Sequence, residues 1–248
     1  MLWVPFTGSP PVPFSVRQIA RPLALITTLA LASCGGPDPI GSNLAPLTGD
    51  PRYAAGFGVT SPVTVLSAQE LQCRRQLKRL NVKFTPVPPV YGKGACGIEA
   101  PLSVTSLSKR IALKPAATMN CRTALAAARW AHDDLAPAAR RRYASNVREV
   151  RHMSAYSCRR IRGSGRLSEH GKGNALDIGS FRLGNGRKID VAKPGFFSFR
   201  EKSFLKSIRK GACKHFRTVL GPGSDRDHAD HFHFDMKQRR SGSTYCNL

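Results

Sequence analysis

Six cysteines between residues 73 and 246 (Cys73, Cys96, Cys121, Cys158, Cys213 and Cys246) constrain this chain more than any other feature of its sequence. No CxxC pair occurs among them, which argues against a zinc ribbon. The N-terminal region carries the marks of export. Arg17 and Arg21 precede an apolar run from Leu23 to Ala32, and small residues follow. The run is shorter than the roughly 20 apolar residues that a stable bilayer span requires. In an oxidising compartment an even set of thiols is expected to close into disulfides. Neighbour pairing (Cys73–Cys96, Cys121–Cys158 and Cys213–Cys246) is the favoured connectivity, with the others left open.

The apolar run ends in "LASC", Leu31 to Cys34, which resembles the bacterial lipoprotein box. On that reading Cys34 is lipidated and becomes the mature N-terminus. The alternative is an ordinary signal peptide with an incidental cysteine. Residues 1–15 fit no region of such a signal, which raises Val16 as the true start. The expected organisation is a lipoprotein-type signal peptide over 1–33, a flexible tether over 34–64 and one domain over 65–248. The tether reading rests on the Gly, Pro, Ser and Asn content of residues 35–62. Gly35 follows Cys34, where an Asp would signal inner-membrane retention. The expected location is therefore periplasmic and lipid-anchored, at the outer membrane rather than the inner.

Lys and Arg number 39 against 15 Asp and Glu, a formal charge of +24. Such a balance suits nucleic acid, an anionic membrane or an anionic polymer. Export disfavours nucleic acid. The expected partners are peptidoglycan and a membrane, the latter reached through the lipid anchor at Cys34, with the chain acting as a monomer.

Local patterns outline an α+β domain. "SAQE", Ser67 to Glu70, reads as a capping box that opens a helix to about Leu80. A strand is expected near Arg110–Leu113. Leu125, Ala128 and Leu135 follow helical spacing from Cys121 onward, with Pro137 marking the end. Further strands are expected at Asn146–Met153, at "ALDI", and at "RKIDVA" after the Gly184–Gly186 turn. A helix over Glu201–Ala212 precedes the strands "FRTVL" and "HFHFDM". The predicted fold is a small antiparallel sheet carrying a zinc site, flanked by helices.

Two stretches carry the chemistry. "SEHGKGNALD" places His170 and Asp177 seven residues apart, with Gly171 and Gly173 giving the backbone freedom to turn between them. In "HADHFHFD", strand alternation puts His231, His233 and Asp235 on one face and aims Phe232 and Phe234 into the core. Imidazole and carboxylate suit Zn2+, and a catalytic zinc keeps one position open beside three protein ligands. Asp230 and Asp235 are candidates for orienting the histidines, or for a plain solvated or sheet-stabilising role. His132, His152 and His215 match no motif and read as surface or structural residues. The Arg140–Arg142 run reads as a solvated helix face.

"SEHGKGNALD" is similar to the Ser-x-His-x-x-Gly-x-Ala-x-Asp motif of the zinc peptidases grouped with D-Ala-D-Ala carboxypeptidases and penicillin-insensitive murein endopeptidase. The matching positions are Ser168, His170, Gly173, Ala175 and Asp177. "HADHFH" is similar to the endopeptidase's His-x-x-His-x-His, at His228, His231 and His233. The arrangement from "LQCRRQL" to "DHFHFD" resembles the bacterial extensin-like C-terminal domain family over about residues 65–248. The resemblance implies zinc ligation by His170, Asp177 and His233, and a catalytic role for His231. It also implies substrate contact by Arg159 in "YSCR", which is grouped with His231 as catalytic, and it suggests Ser168 and His228 as further substrate-binding positions. The implied activity is hydrolysis of peptidoglycan peptide bonds. The alternative is a non-catalytic, zinc-stabilised peptidoglycan-binding lipoprotein.

Overall fold

The side chain of Ser67 accepts a hydrogen bond from the Glu70 amide and opens helix α1 (Ala68–Arg79), as the capping pattern predicts. This computed structural model describes residues 66–192 and 199–248, so the expected signal peptide, Cys34 and the expected tether lie outside the described residues. After α1 come β1 (Phe84–Pro86), the small hairpin of β2 (Val90–Tyr91) and β3 (Gly97–Ile98), β4 (Leu102–Ser106) and β5 (Ala112–Met119). Helix α2 (Cys121–Trp130) is capped by Asn120, which accepts from the Thr123 amide.

Pro137 does not end this helix. The chain passes through a π-helical turn, Ala131–Leu135, straight into α3 (Ala136–Tyr143). Pro137 stands in the first turn of α3, where the π-helical turn before it has shifted the backbone bonding from i−4 to i−5. Termination falls instead to Ala144, in the left-handed conformation at φ 48°. The remaining elements are β6 (Val147–Ser154), β7 (Ala175–Leu183), β8 (Lys188–Asp190), α4 (Phe199–Ala212), β9 (Thr218–Leu220), β10 (Phe232–Asp235) and β11 (Tyr245–Cys246).

The main sheet is nine-stranded and mixed, not small and antiparallel. Its order is β1-β4-β5-β6-β7-β10-β9-β11, with β8 paired to β7. β5 and β6 are parallel because α2 and α3 carry the chain back across the sheet between them. β11 also runs parallel, along β9.

Helices cover one face of this sheet. The Trp130 ring lies 5.3 Å from Phe234 and 6.2 Å from Phe181, and its indole N–H donates to the Ile208 carbonyl at 2.9 Å. Leu176, Ile178, Phe232 and Phe234 all enter this core, so the alternate residues of β7 and β10 face the other way. Truncating a fully buried aromatic of this kind costs about 3–5 kcal/mol. Among the described residues no helix is long and apolar enough to cross a membrane.

Among the described residues three disulfides form, but two of the favoured pairings are wrong. The bonds are Cys73–Cys121, Cys96–Cys158 and Cys213–Cys246, and only the last joins sequence neighbours. Packing decides the other two. α1 lies on α2, which brings Cys73 to the first residue of α2, with Cα atoms 6.2 Å apart. The β2–β3 hairpin lies against the segment after β6, which brings Cys96 to Cys158 at 5.6 Å.

Candidate metal centre

Strand register builds the first half of the site. His233 of β10 lies directly opposite Asp177 of β7, so the two side chains share the face turned away from the helices. His170 arrives from a 3-10 turn, Glu169–Lys172, just before β7. Ser168 caps that turn, its hydroxyl accepting from the His170 amide at 3.4 Å. Gly173 ends the turn at φ +60°, and a Cβ there would collide with Ile98 and stand 3.1 Å from the Asn120 amide nitrogen. The tight turn and its glycine exit carry the chain from His170 into the strand that presents Asp177.

Three donor atoms converge. His170 Nε2 is 3.1 Å from Asp177 Oδ2 and 3.2 Å from His233 Nδ1, and His233 Nδ1 is 2.8 Å from Asp177 Oδ1. All three residues are buried. Each outward nitrogen faces an oxygen that accepts, and Ser154 Oγ also stands 3.4 Å from His170 Nδ1. His170 Nδ1–H donates to the Ala155 carbonyl at 2.6 Å, and His233 Nε2–H donates to Asp235 Oδ2 at 3.1 Å. With those tautomers fixed, neutral rings turn two nitrogen lone pairs toward a carboxylate. Such a set could hold a metal ion at its centre. Tetrahedral zinc with bonds of about 2.0–2.1 Å would hold its ligand atoms about 3.3–3.4 Å apart, so the 2.8–3.2 Å separations here would open slightly around an ion. The group of His170, Asp177 and His233 therefore suits a metal ion.

A proton on His233 can stand in for a cation at the centre. Burial by itself would lower the His233 pKa, but hydrogen bonds to Asp177 and Asp235 outweigh it and push it up to about 9. Burial would raise Asp177, yet the hydrogen bonds from His170 and His233 hold it far below the usual carboxylate range. Asp235 is likewise held low against its burial, chiefly by His233.

Other predicted site residues form the rim. Arg159 is half-exposed and donates from Nη2 to Asp177 Oδ2 at 3.2 Å. His231 precedes β10, with Nε2 3.6 Å from Asp177 Oδ1 and Nδ1 bonded to Asp230 Oδ1 at 2.7 Å. His228 closes a 3-10 turn capped by Asp225, which holds its Nδ1 at 2.6 Å. Its ring stands 5.4 Å from that of His231 and 5.2 Å from that of His233. Burial lowers the His228 pKa, with Asp225 opposing. Arg159, Ser168, His228 and His231 line a cleft of about 680 Å³ with His170 and His233 on its wall.

The other histidines stand elsewhere. His152 bonds the Pro115 carbonyl, His132 meets Asp133, and His215 meets Asp134. Three contributors had no motif to announce them. The Ala155 carbonyl that orients His170 is a backbone group. The Cys96–Cys158 bond anchors the residue before Arg159. Arg209, buried in α4, bonds the Gly221 and Pro222 carbonyls and Ser224 Oγ, and so fixes the loop leading to His228. An arginine on the core face of a helix was the available sign of the last.

No curated protein and no solved structure matches the chain. The family profile described as "Extensin-like protein C-terminus" matches residues 71–247, which span α1 to β11 and every residue of the metal centre. The chain belongs to the extensin-like protein C-terminal family.

Proposed function

We propose that this protein is a zinc-dependent peptidase of the cell envelope that hydrolyses peptide bonds of peptidoglycan. The observation that carries the reading is the donor set itself: two imidazole nitrogens and one carboxylate, tautomers fixed from behind, at the wall of an open cleft. Structural zinc sites are closed by four protein ligands, whereas catalytic sites keep one position free. His170, Asp177 and His233 would hold the ion. When bound, zinc supplies Lewis acidity for the scissile carbonyl and brings the pKa of a water molecule to about 7.

The chain's own residues do the rest. His231, its Nδ1 tied to Asp230, turns Nε2 toward the centre, where it takes a proton from water and returns one to the leaving amine. Arg159 braces Asp177 through one nitrogen and offers the rest of its guanidinium to an oxygen of the substrate. His228 and Ser168, on the cleft lining, contact the peptide. The export signal, the lipoprotein-like Cys34 and the charge of +24 support a substrate in the envelope, with the chain anchored to the outer membrane facing the periplasm.

The test is elemental analysis of purified protein, followed by digestion of isolated sacculi. One zinc per chain and released stem peptides are the expected results. Stoichiometric zinc with no release from any peptidoglycan would favour the non-catalytic wall-binding lipoprotein. Absence of zinc would remove both readings.

A further inference from the structure

Leu71, Arg75, Lys78 and Arg79 fall at i, i+4, i+7 and i+8 of α1 and so share one face, opposite the buried Cys73 and Leu77. All four are exposed, Leu71 at 44%. Glu70, the only carboxylate of this helix, is turned onto Arg74 at 2.6 Å. Two grooves flank the ridge. One, of about 380 Å³, is lined by Arg75, Arg79 and Arg129, among others. The other, of about 610 Å³, is lined by Arg74, Arg75, Lys78 and Lys83 together with apolar and hydroxyl-bearing residues. Neither lining contains an acidic residue. Like charges three and four residues apart repel along a helix, and although Lys78 and Arg79 suit the negative end of the helix dipole, Arg75 lies outside that last turn.

We infer that the α1 ridge docks on a bilayer rich in anionic phospholipid. Headgroup phosphates fill the two cationic grooves, and Leu71 enters the boundary between headgroups and acyl chains. A water-soluble polyanion would match the charge but would leave Leu71 without a role. The placement in the fold points the same way. α1 is bonded to α2 through Cys73–Cys121 on the helix-covered side of the sheet, whereas His170, Asp177 and His233 lie on the other side. Docking through α1 therefore leaves the cleft open away from the lipid. The inference does not depend on the peptidase reading.

The test is co-sedimentation of the full chain with vesicles of phosphatidylcholine, alone or with phosphatidylglycerol at about 7:3. Binding at least tenfold tighter to the phosphatidylglycerol vesicles is expected, and equal binding to both overturns the inference. Arg75→Glu/Lys78→Glu/Arg79→Glu should weaken that binding at least tenfold. The same charge change on α3, Arg140→Glu/Arg141→Glu/Arg142→Glu, should cost twofold or less. Equal losses in the two triples would assign the binding to bulk charge and overturn the ridge. If the first triple fails to fold, Arg75→Gln/Lys78→Gln/Arg79→Gln answers the same question. Leu71→Ser should weaken vesicle binding several-fold and leave binding of sodium polyphosphate unchanged. Full vesicle binding by that variant would overturn the lipid assignment in favour of an anionic polymer.

Discussion

Two aspartates in this molecule are enclosed by basic side chains, and they meet different fates. Asp134, in the π-helical turn, binds Lys214 at 2.9 Å and His215 at 2.8 Å. The ammonium is a permanent cation, so that cluster neutralises itself. Asp177 meets His170 and His233, whose outward nitrogens are occupied by Ala155 and Asp235. Arg159 supplies a cation here as Lys214 does there, but two imidazole nitrogens also converge on the carboxylate, and the three residues could hold a metal ion. Ring nitrogens set from behind distinguish the group that could hold a metal ion from the plain ion-pair cluster.

The largest effect expected from this contrast is loss of metal. His170→Ala, Asp177→Ala and His233→Ala should each lower zinc from one per chain to near zero by elemental analysis, while Asp134→Ala leaves it unchanged. Retained stoichiometric zinc in the first three would break the comparison at its centre. Next in size, His231→Ala should keep zinc and fold but lose about 10²–10⁴-fold in hydrolysis, the usual contribution of a general acid–base group. A variant cleaving as fast as the parent would remove His231 from the mechanism. Asp235→Asn should weaken zinc affinity by about 10–100-fold, as removal of a ligand-orienting partner does. Competition with a chelator reads that directly.

The smallest effect belongs to the self-neutralised cluster. Asp134→Asn should cost about 1–2 kcal/mol of stability in denaturant titration, with no change in zinc. Burial would raise the Asp134 pKa, but Lys214 and His215 hold it below its ordinary 3.8. A depressed carboxylate contributes stability above its unfolded value and loses it as pH falls through the folded one. The parent should therefore lose this increment only below about pH 4, and the Asn variant should show no such step.

Much of the candidate metal centre was legible in the sequence because its geometry is local. Alternation along Phe232–Asp235 separates core from site, and the Ser168–Gly173 turn depends on a cap and a glycine that sequence displays. The α1 start at Ser67 was readable for the same reason. What stayed hidden depends on contacts between distant segments. The Ala155 carbonyl behind His170 carries no side-chain signature. The parallel pairing of β5 with β6, and the union of Cys73 with Cys121, follow from how α1 and α2 pack, which no spacing encodes. Pro137 misled because proline stops a helix interior yet suits a first turn, and only the π-helical segment before it places it there.

β11 has a consequence for colloidal behaviour. A nine-stranded sheet ends in edges whose unpaired amides and carbonyls can template another chain. Here the last strand is two residues long, pairs along β9 and is stapled by Cys213–Cys246. The opposite edge, β1, is three residues long and ends in Pro86, which has no amide to donate. Both margins are thus too short or too poor in donors to extend. Reduction of the C-terminal staple would release β11 and uncover β9 (Thr218–Leu220), an edge as short as β1 but with an amide N–H on every residue, so the disulfide keeps that margin covered.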